Sequence, residues 1–330
     1  RRVCLLGAVV MGLSVVAASQ AQELWQFYLL FFLAGFLGAG SLFTPLIANT
    51  GNWFKTGAGL AIGIASAGQA LGQGAVPFGI AILISNMGWR DALMTMGMIT
   101  LAVLIPLAIL IRQPPKTPQQ INPGADTTDD QSPVPLPANA VVAWLGLAVL
   151  FCCICMSVPL MHLLPLIHDR GFSLEEAGSV VFVMMVVAIL GRVAFGKLAD
   201  MIGAIRAYWI ASCWQTVMVF GFIQIESLDS FYIYAVIYGF GYAGVMTGVL
   251  ICVRVLTPLA RRASALGIVT LFGWLGHAIG GYQGGYFFDI SGDYTLTYAN
   301  AAFAGVINLI IVTSLYVTIT RRRAALAFVE

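Results

Sequence analysis

The chain has 330 residues, 60% of them hydrophobic and 9% charged, with a mean hydropathy of +0.92. A soluble domain carries about 25% charged residues, so this composition excludes a water-soluble enzyme, a disordered tail and a nucleic-acid binder. The net charge of +2 points to no acidic partner, and the remaining class is a protein that crosses the bilayer repeatedly.

The gaps between charged residues give the elements in chain order. Ten gaps are long enough to cross or nearly cross a bilayer: 3–22, 24–54, 56–89, 92–111, 131–168, 177–191, 207–225, 230–253, 263–288 and 294–320. A helical span takes about 20 mainly apolar residues. The short stretch, 177–191, lengthens to 174–199 once Arg192 and Lys197 are tolerated on it. Barrel strands would be about ten residues long with strict alternation. The pattern therefore predicts an all-α membrane protein with ten transmembrane helices.

The charges also set an expected orientation. With Arg1 and Arg2 in the cytoplasm and sides alternating, twelve basic residues fall on cytoplasmic segments and only Arg90 and Arg170 on the other side. That is the positive-inside pattern, and it predicts both ends of the chain in the cytoplasm of a cell with an inner membrane. The stretch from Arg112 to Pro137 is rich in Pro, Gln, Asp and Thr, cannot bury a core, and reads as a cytoplasmic linker. The six cysteines lie in or at the ends of apolar runs, without zinc-site spacing, and read as small packing residues.

An internal repeat organises the whole. Residues 35–40, GFLGAG, match 239–244, GFGYAG, at four of six positions and an offset of 204. The same offset pairs Arg2 with Arg206, Ala61 with Ala265, Gly63-Ile64 with Gly267-Ile268, Gly72 with Gly276 and Gly88 with Gly292. In this register 138–204 lacks a partner, which predicts two further spans upstream, giving twelve as two parallel-repeated bundles of six. The expected organisation is a four-helix remainder of an N-terminal bundle at 1–112, a linker at 113–137 and a six-helix bundle at 138–330.

Gly196-Lys197-Leu198-Ala199-Asp200, followed by Gly203 and Arg206, resembles the signature of the major facilitator superfamily between its eighth and ninth helices. Arg1-Arg2 looks like the tail of the first copy. Gly196 and Gly203 permit a tight turn and close helix approach. Asp200 can sit near a helix N-terminus and bias helix packing in one state, while positive-inside anchoring also accounts for Lys197 and Arg206. Residues 53–61, WFKTGAGLA, with Pro77, Gly88-Trp89-Arg90, Asp169-Arg170-Gly171-Phe172-Ser173 and Gly191-Arg192, are similar to the monocarboxylate transporter and oxalate:formate exchanger branch.

Polar groups in mid-span carry the chemistry of a membrane protein. Arg192 lies eight residues before Asp200, about 12 Å along the helix, and either snorkels or points into a central cavity. In the resembled branch an arginine four residues before the first signature glycine binds the substrate carboxylate, and Arg192 stands four before Gly196. His277 lies near the centre of its span with Trp274 one turn away. The resemblance puts a lysine where this chain has His277, which removes a fixed second charge and supplies a group that titrates near pH 6.5; a neutral imidazole bonded to backbone is the other reading. Gln69 and Gln73 serve helix-to-helix bonding or substrate contact, and Tyr238 and Tyr242 line a cavity or pack as aromatics. Ser173-Leu174-Glu175-Glu176 reads as a capping box.

The chain has no Gly-rich phosphate loop, no HExxH and no carboxylate pair within a span. The expectation is a non-enzymatic, cofactor-free and metal-free secondary transporter of a small organic anion, most simply a monocarboxylate. It would be coupled to a proton or a counter-anion, monomeric and embedded in the lipid bilayer. An exporter of lipophilic compounds and a transporter-like sensor are the alternatives.

Overall fold

The computed structural model describes residues 1–54, 56–114 and 133–327, apart from the side chains of 77, 78, 81, 82, 85 and 327. Regular structure among the described residues is helical throughout, as hydrocarbon requires of a backbone that must bond to itself. In chain order the helices are α1 (Arg2–Ala18) and α2 (Leu24–Trp53), which has a π-turn at Ala34–Ala39. The stretch Ala58–Leu110 turns at Gly88 (φ 81°, ψ 165°) into α3 (58–87) and α4 (89–110). There follow α5 (Ala138–Asp169), α6 (Leu174–Ile202) and α7 (Ala204–Val219), which a 3₁₀ turn extends over Phe220–Gln224. Last come α8 (Leu228–Leu256), α9 (Arg262–Ser291) and α10 (Thr295–Ala327).

Each of the ten apolar stretches read from the sequence coincides with one of these helices. Among the described residues, seven helical stretches are long and apolar enough to cross a membrane: those beginning at Leu24, Asn86, Ala138, Leu174, Leu228, Leu259 and Thr295. The protein is a multi-pass membrane protein. The linker 113–137 lies largely outside the described residues.

The chain divides into two compact units, residues 1–53 with 75–114 and residues 54–74 with 133–327. In the first, α1 packs on α2, and Asn49 Nδ2 donates to the Arg112 carbonyl at 3.0 Å. In the second, α5 packs on α9 and α10, α6 on α8, and α7 on α8 and α10. The first half of α3 belongs to this unit and runs antiparallel to α6, Gly59 lying beside Gly196 and Asp200, Gly63 beside Arg192, and Gly74 beside Met185.

Local signals place the helix ends. Ser173 Oγ accepts the Glu176 amide at 3.2 Å while Glu176 Oε2 accepts the Ser173 amide at 2.8 Å, the reciprocal capping box expected of that tetrad. Ser227 caps α8 through the Ser230 amide at 3.3 Å. Gly203, at φ 95° and ψ 148°, ends α6 and starts α7. That backbone conformation is open to glycine and strained for any residue with a Cβ, so the second signature glycine is a turn requirement.

Candidate functional site

The second unit buries an arginine. Arg192, on α6, is 1% exposed, although its guanidinium stays charged at any physiological pH. Its Nη1 donates to Gln69 Oε1 of α3 at 3.2 Å, and its Nε is buried without a partner. Among the described residues no carboxylate pairs with it; the charge-sensitive neighbour is the Tyr242 hydroxyl of α8, close enough for electrostatic coupling but short of hydrogen-bond geometry. A buried charge with no counter-charge costs several kcal/mol, of which one neutral amide offsets only a part.

Polar groups on the neighbouring helices α3 and α8 are under-satisfied too. Tyr238 and Tyr242 stack one turn apart, ring centroids 5.6 Å and planes at 14°, and both hydroxyls are buried without partners. They pack as aromatics and at the same time present polar tips. Gln73, one turn beyond Gln69 on α3, holds a buried Oε1 without a partner. Of these groups Gln69 is tied to Arg192 by its hydrogen bond and Tyr242 by electrostatic coupling, and buried polar groups without partners are unusual, because such groups are nearly always satisfied. Arg192, Gln69 and Tyr242 thus come together, with Tyr238 stacked on Tyr242 and Gln73 one turn beyond Gln69, and among the described residues no carboxylate pairs with the guanidinium.

Trp274 and His277 form a pair on α9. Their rings lie 5.7 Å apart at 42° on α9, Trp274 half exposed and His277 half buried. No hydrogen bond or charge contact joins His277 to Arg192 among the described residues.

Two signature residues, Gly196 and Asp200, meet the N-terminus of α3. Asp200 Oδ1 accepts the Gly59 amide and Oδ2 the Leu60 amide, each at 2.9 Å. Those two amides are free donors of a helix first turn, so the carboxylate caps α3 from another helix. Gly196 makes the approach possible: a Cβ there would lie 2.5 Å from the Gly59 carbonyl oxygen. Arg206 does not join this cap; its Nε and Nη2 donate to the Tyr316 hydroxyl of α10 at 3.1 and 2.9 Å.

Two further contacts tie this region together. Arg254 Nη2 donates to the Phe54 carbonyl at 2.8 Å, within electrostatic reach of Asp200. Ser66 Oγ and Thr247 Oγ1 meet at 3.1 Å and tie α3 to α8. Both join residues about 180–200 positions apart. The register that pairs the two halves at 204 is the one sequence signal with that reach.

The sequence model of the Major Facilitator Superfamily matches residues 1–281. The chain belongs to this superfamily, whose members are transporters and not enzymes. It is 26% identical over 308 residues to monocarboxylate transporter 13 of Rattus norvegicus, an alignment covering 91% of this chain and 70% of that protein. It is 26% identical over 242 residues to the aspyridones efflux protein of Emericella nidulans, covering 72% of this chain and 47% of that protein. The crystal structure of the human organic anion transporter MFSD10 superposes with a TM-score of 0.69 at 15% identity, over 94% of this chain and 76% of that one. At that identity the likeness concerns the fold.

Proposed function

We propose that this protein is a secondary active transporter of a small organic anion, a monocarboxylate in the first instance, working by alternating access. The observation that carries the reading is Arg192, a buried guanidinium with an unpartnered Nε and no carboxylate beside it among the described residues. A carboxylate would neutralise the charge, form a two-pronged pair with the planar guanidinium, and accept from the orphaned hydroxyls of Tyr238 and Tyr242. A cation would find no counter-charge there. Gln69 and Gln73 position the guanidinium or contact the substrate, and Trp274 and His277 form a second station along the path, where His277 is the group suited to proton coupling. The likeness to a monocarboxylate transporter supports the same substrate class.

In this reading 1–112 and 138–330 are the two bodies that rock about the site, the linker 113–137 joins them, and both chain ends face the cytoplasm of a cell membrane. Asp200, with Gly196, Gly203 and Arg206, sets the balance between states. The transporter works as a monomer, without cofactor, and couples to a proton or a counter-anion. Purified protein in proteoliposomes tests the proposal. Uptake or counterflow of labelled lactate and related monocarboxylates is expected, competed by other small carboxylates and abolished in Arg192→Ala. Transport of lipophilic neutral compounds with no carboxylate competition would favour the efflux reading that the fungal relative supports, and saturable binding without counterflow would favour a sensor.

A further inference from the structure

A trough runs along the outer face of α7. The inner face of that helix is buried through Tyr208, Ser212, Gln215 and Thr216. The opposite face exposes Trp209, Ile210, Trp214 and Val217. A cavity of about 500 Å³ opens between Ile202, Ile205, Trp209 and Ile210 on one side and Thr313 and Tyr316 of α10 on the other. A second, of about 430 Å³, continues it past Trp209 and Ile210 to Cys213, Trp214 and Met218. From Ile202 to Met218 the trough follows about 24 Å of helix axis at 1.5 Å per residue. That exceeds one leaflet's share of the hydrocarbon core, about 15 Å.

Its mouth is basic. Arg206 lines the first cavity at the start of α7, exposed, with its Cζ 5.7 Å over the Tyr316 ring. Two of its five N–H groups are spent on the Tyr316 hydroxyl. Because that hydroxyl accepts both, its own proton is left to donate outward. The Trp209 indole N–H is taken by Thr313 Oγ1 at 3.0 Å and the Trp214 indole N–H by the Ile237 carbonyl at 3.0 Å. Interfacial tryptophans ordinarily serve the headgroup region; here both rings are fixed as apolar walls, and the polar recognition falls to Arg206 and Tyr316. Arg321, Arg322 and Arg323 follow Tyr316 on the same helix, so this end of the trough faces a surrounding of positive charge.

We infer that this trough is a binding site for one anionic phospholipid, its phosphate held by Arg206 and the Tyr316 hydroxyl and an acyl chain laid along Trp209, Ile210 and Trp214. The recognition is charge-assisted hydrogen bonding to phosphate by a guanidinium already oriented on a tyrosine, combined with burial of an apolar tail against apolar walls. The occupant is a lipid rather than a free phosphate, because the larger part of the trough is apolar.

Native mass spectrometry of the full chain in mild detergent tests this, with phosphatidylglycerol and phosphatidylcholine of identical acyl chains titrated side by side. One phosphatidylglycerol is expected to be retained about fivefold more tightly than phosphatidylcholine, the worth of one basic residue at an anionic surface. Arg206→Gln should erase that preference while Arg321→Gln, at the same end of the protein, keeps it. Ile210→Trp, which fills the trough and leaves the arginine in place, should lower retention of both lipids. Inorganic phosphate should not displace the lipid. Retained preference in Arg206→Gln, equal loss in Arg321→Gln, undiminished retention in Ile210→Trp, or displacement by free phosphate would each overturn the assignment.

Discussion

The carboxylate of Asp200 accepts the backbone amide of Gly59, 141 residues earlier in the chain, at 2.9 Å. Its second oxygen takes the next amide, Leu60, at the same distance, so one side chain closes two of the free donors that begin α3. The negative charge also stands at the positive end of the helix dipole. Arg254 lies behind it and holds the Phe54 carbonyl just before the helix. This arrangement can exist only while α3 and α6 are together, so it stabilises one conformation selectively.

Asp200→Asn should therefore shift the conformational balance without touching the anion site. The amide can still accept one amide proton, but it loses the charge and the symmetric double contact. A cap of this kind is worth about 1–2 kcal/mol, so the packed state should lose roughly a 5- to 30-fold preference. Transport should slow, while equilibrium binding measured by substrate protection changes by less than about threefold. A normal turnover with a large change in affinity would place Asp200 in the substrate site instead.

Gly196→Ala tests the packing beneath that cap. The new methyl would meet backbone on three sides, the Gly59 carbonyl oxygen at 2.5 Å, its carbon at 3.1 Å and the Gly63 Cα at 3.2 Å. Backbone cannot rotate away, so the helices must part, at a cost of about 1–3 kcal/mol. Gly68, on the same stretch of α3, has open space where a Cβ would go. Gly68→Ala should be neutral or stabilising, because alanine is the better helix former. Thermal unfolding of the two variants in one detergent makes the comparison, and equal midpoints would contradict it. Combined with Asp200→Asn, Gly196→Ala should cost less than the sum, since both act on the same helix pair.

What the sequence made legible was one-dimensional. Apolar run length located all ten helices, because hydrocarbon thickness is a ruler that acts on consecutive residues. Ser173 and Glu176 announced their capping box because the partners sit three residues apart. Tyr238 and Tyr242, one turn apart, were open to cavity lining or aromatic packing, and their rings stack. The break between α3 and α4 falls at Gly88, beside the charged pair Arg90-Asp91 from which the boundary was read. The resemblance singled out Asp200 and Arg192, but no local pattern named what they bind. Gly59 and Gln69 lie 141 and 123 residues away, and such pairings follow from helix order in space, which periodicity does not encode. The shared face proposed for Trp274 and His277 was legible at their spacing of three, and their rings meet at 5.7 Å.

The proposed place of His277 on the substrate path is testable by adding a fixed charge there. Its ring packs beside Trp274 and has no described acidic neighbour. His277→Lys would add a fixed ammonium at that station. Competition of labelled monocarboxylate uptake by a short dicarboxylate such as oxalate should then strengthen by about tenfold, one extra charge contact of about 1.4 kcal/mol, with little change for the monocarboxylate itself. If dicarboxylates compete equally against both proteins, His277 does not face the path.

Arg192 carries the largest expected effect. Its guanidinium is sequestered with one amide partner at 3.2 Å and a buried, unpartnered Nε, so any anion that enters gains a charge already stripped of water. Removing one partner of such a buried pair costs on the order of 2–5 kcal/mol. Arg192→Ala should therefore lower apparent carboxylate affinity by roughly 30-fold or more, since each 1.4 kcal/mol is a factor of ten. Arg192→Lys keeps the charge and loses the fork, and an ammonium at the end of a flexible stem cannot bond Gln69 and a carboxylate in one plane. It should be nearly as damaging as alanine, which separates geometric recognition from simple attraction. Gln69→Ala gives the complementary readout. It leaves the charge and removes the one described hydrogen-bond partner, so affinity should fall by a smaller factor, about three- to tenfold, the net worth of an ordinary intramolecular hydrogen bond. Carboxylate uptake by Arg192→Ala at the wild-type rate and affinity would end the anion reading. The arginine would then be a structural bond between α6 and α3, and Arg192→Ala would reveal itself in the unfolding midpoint alone.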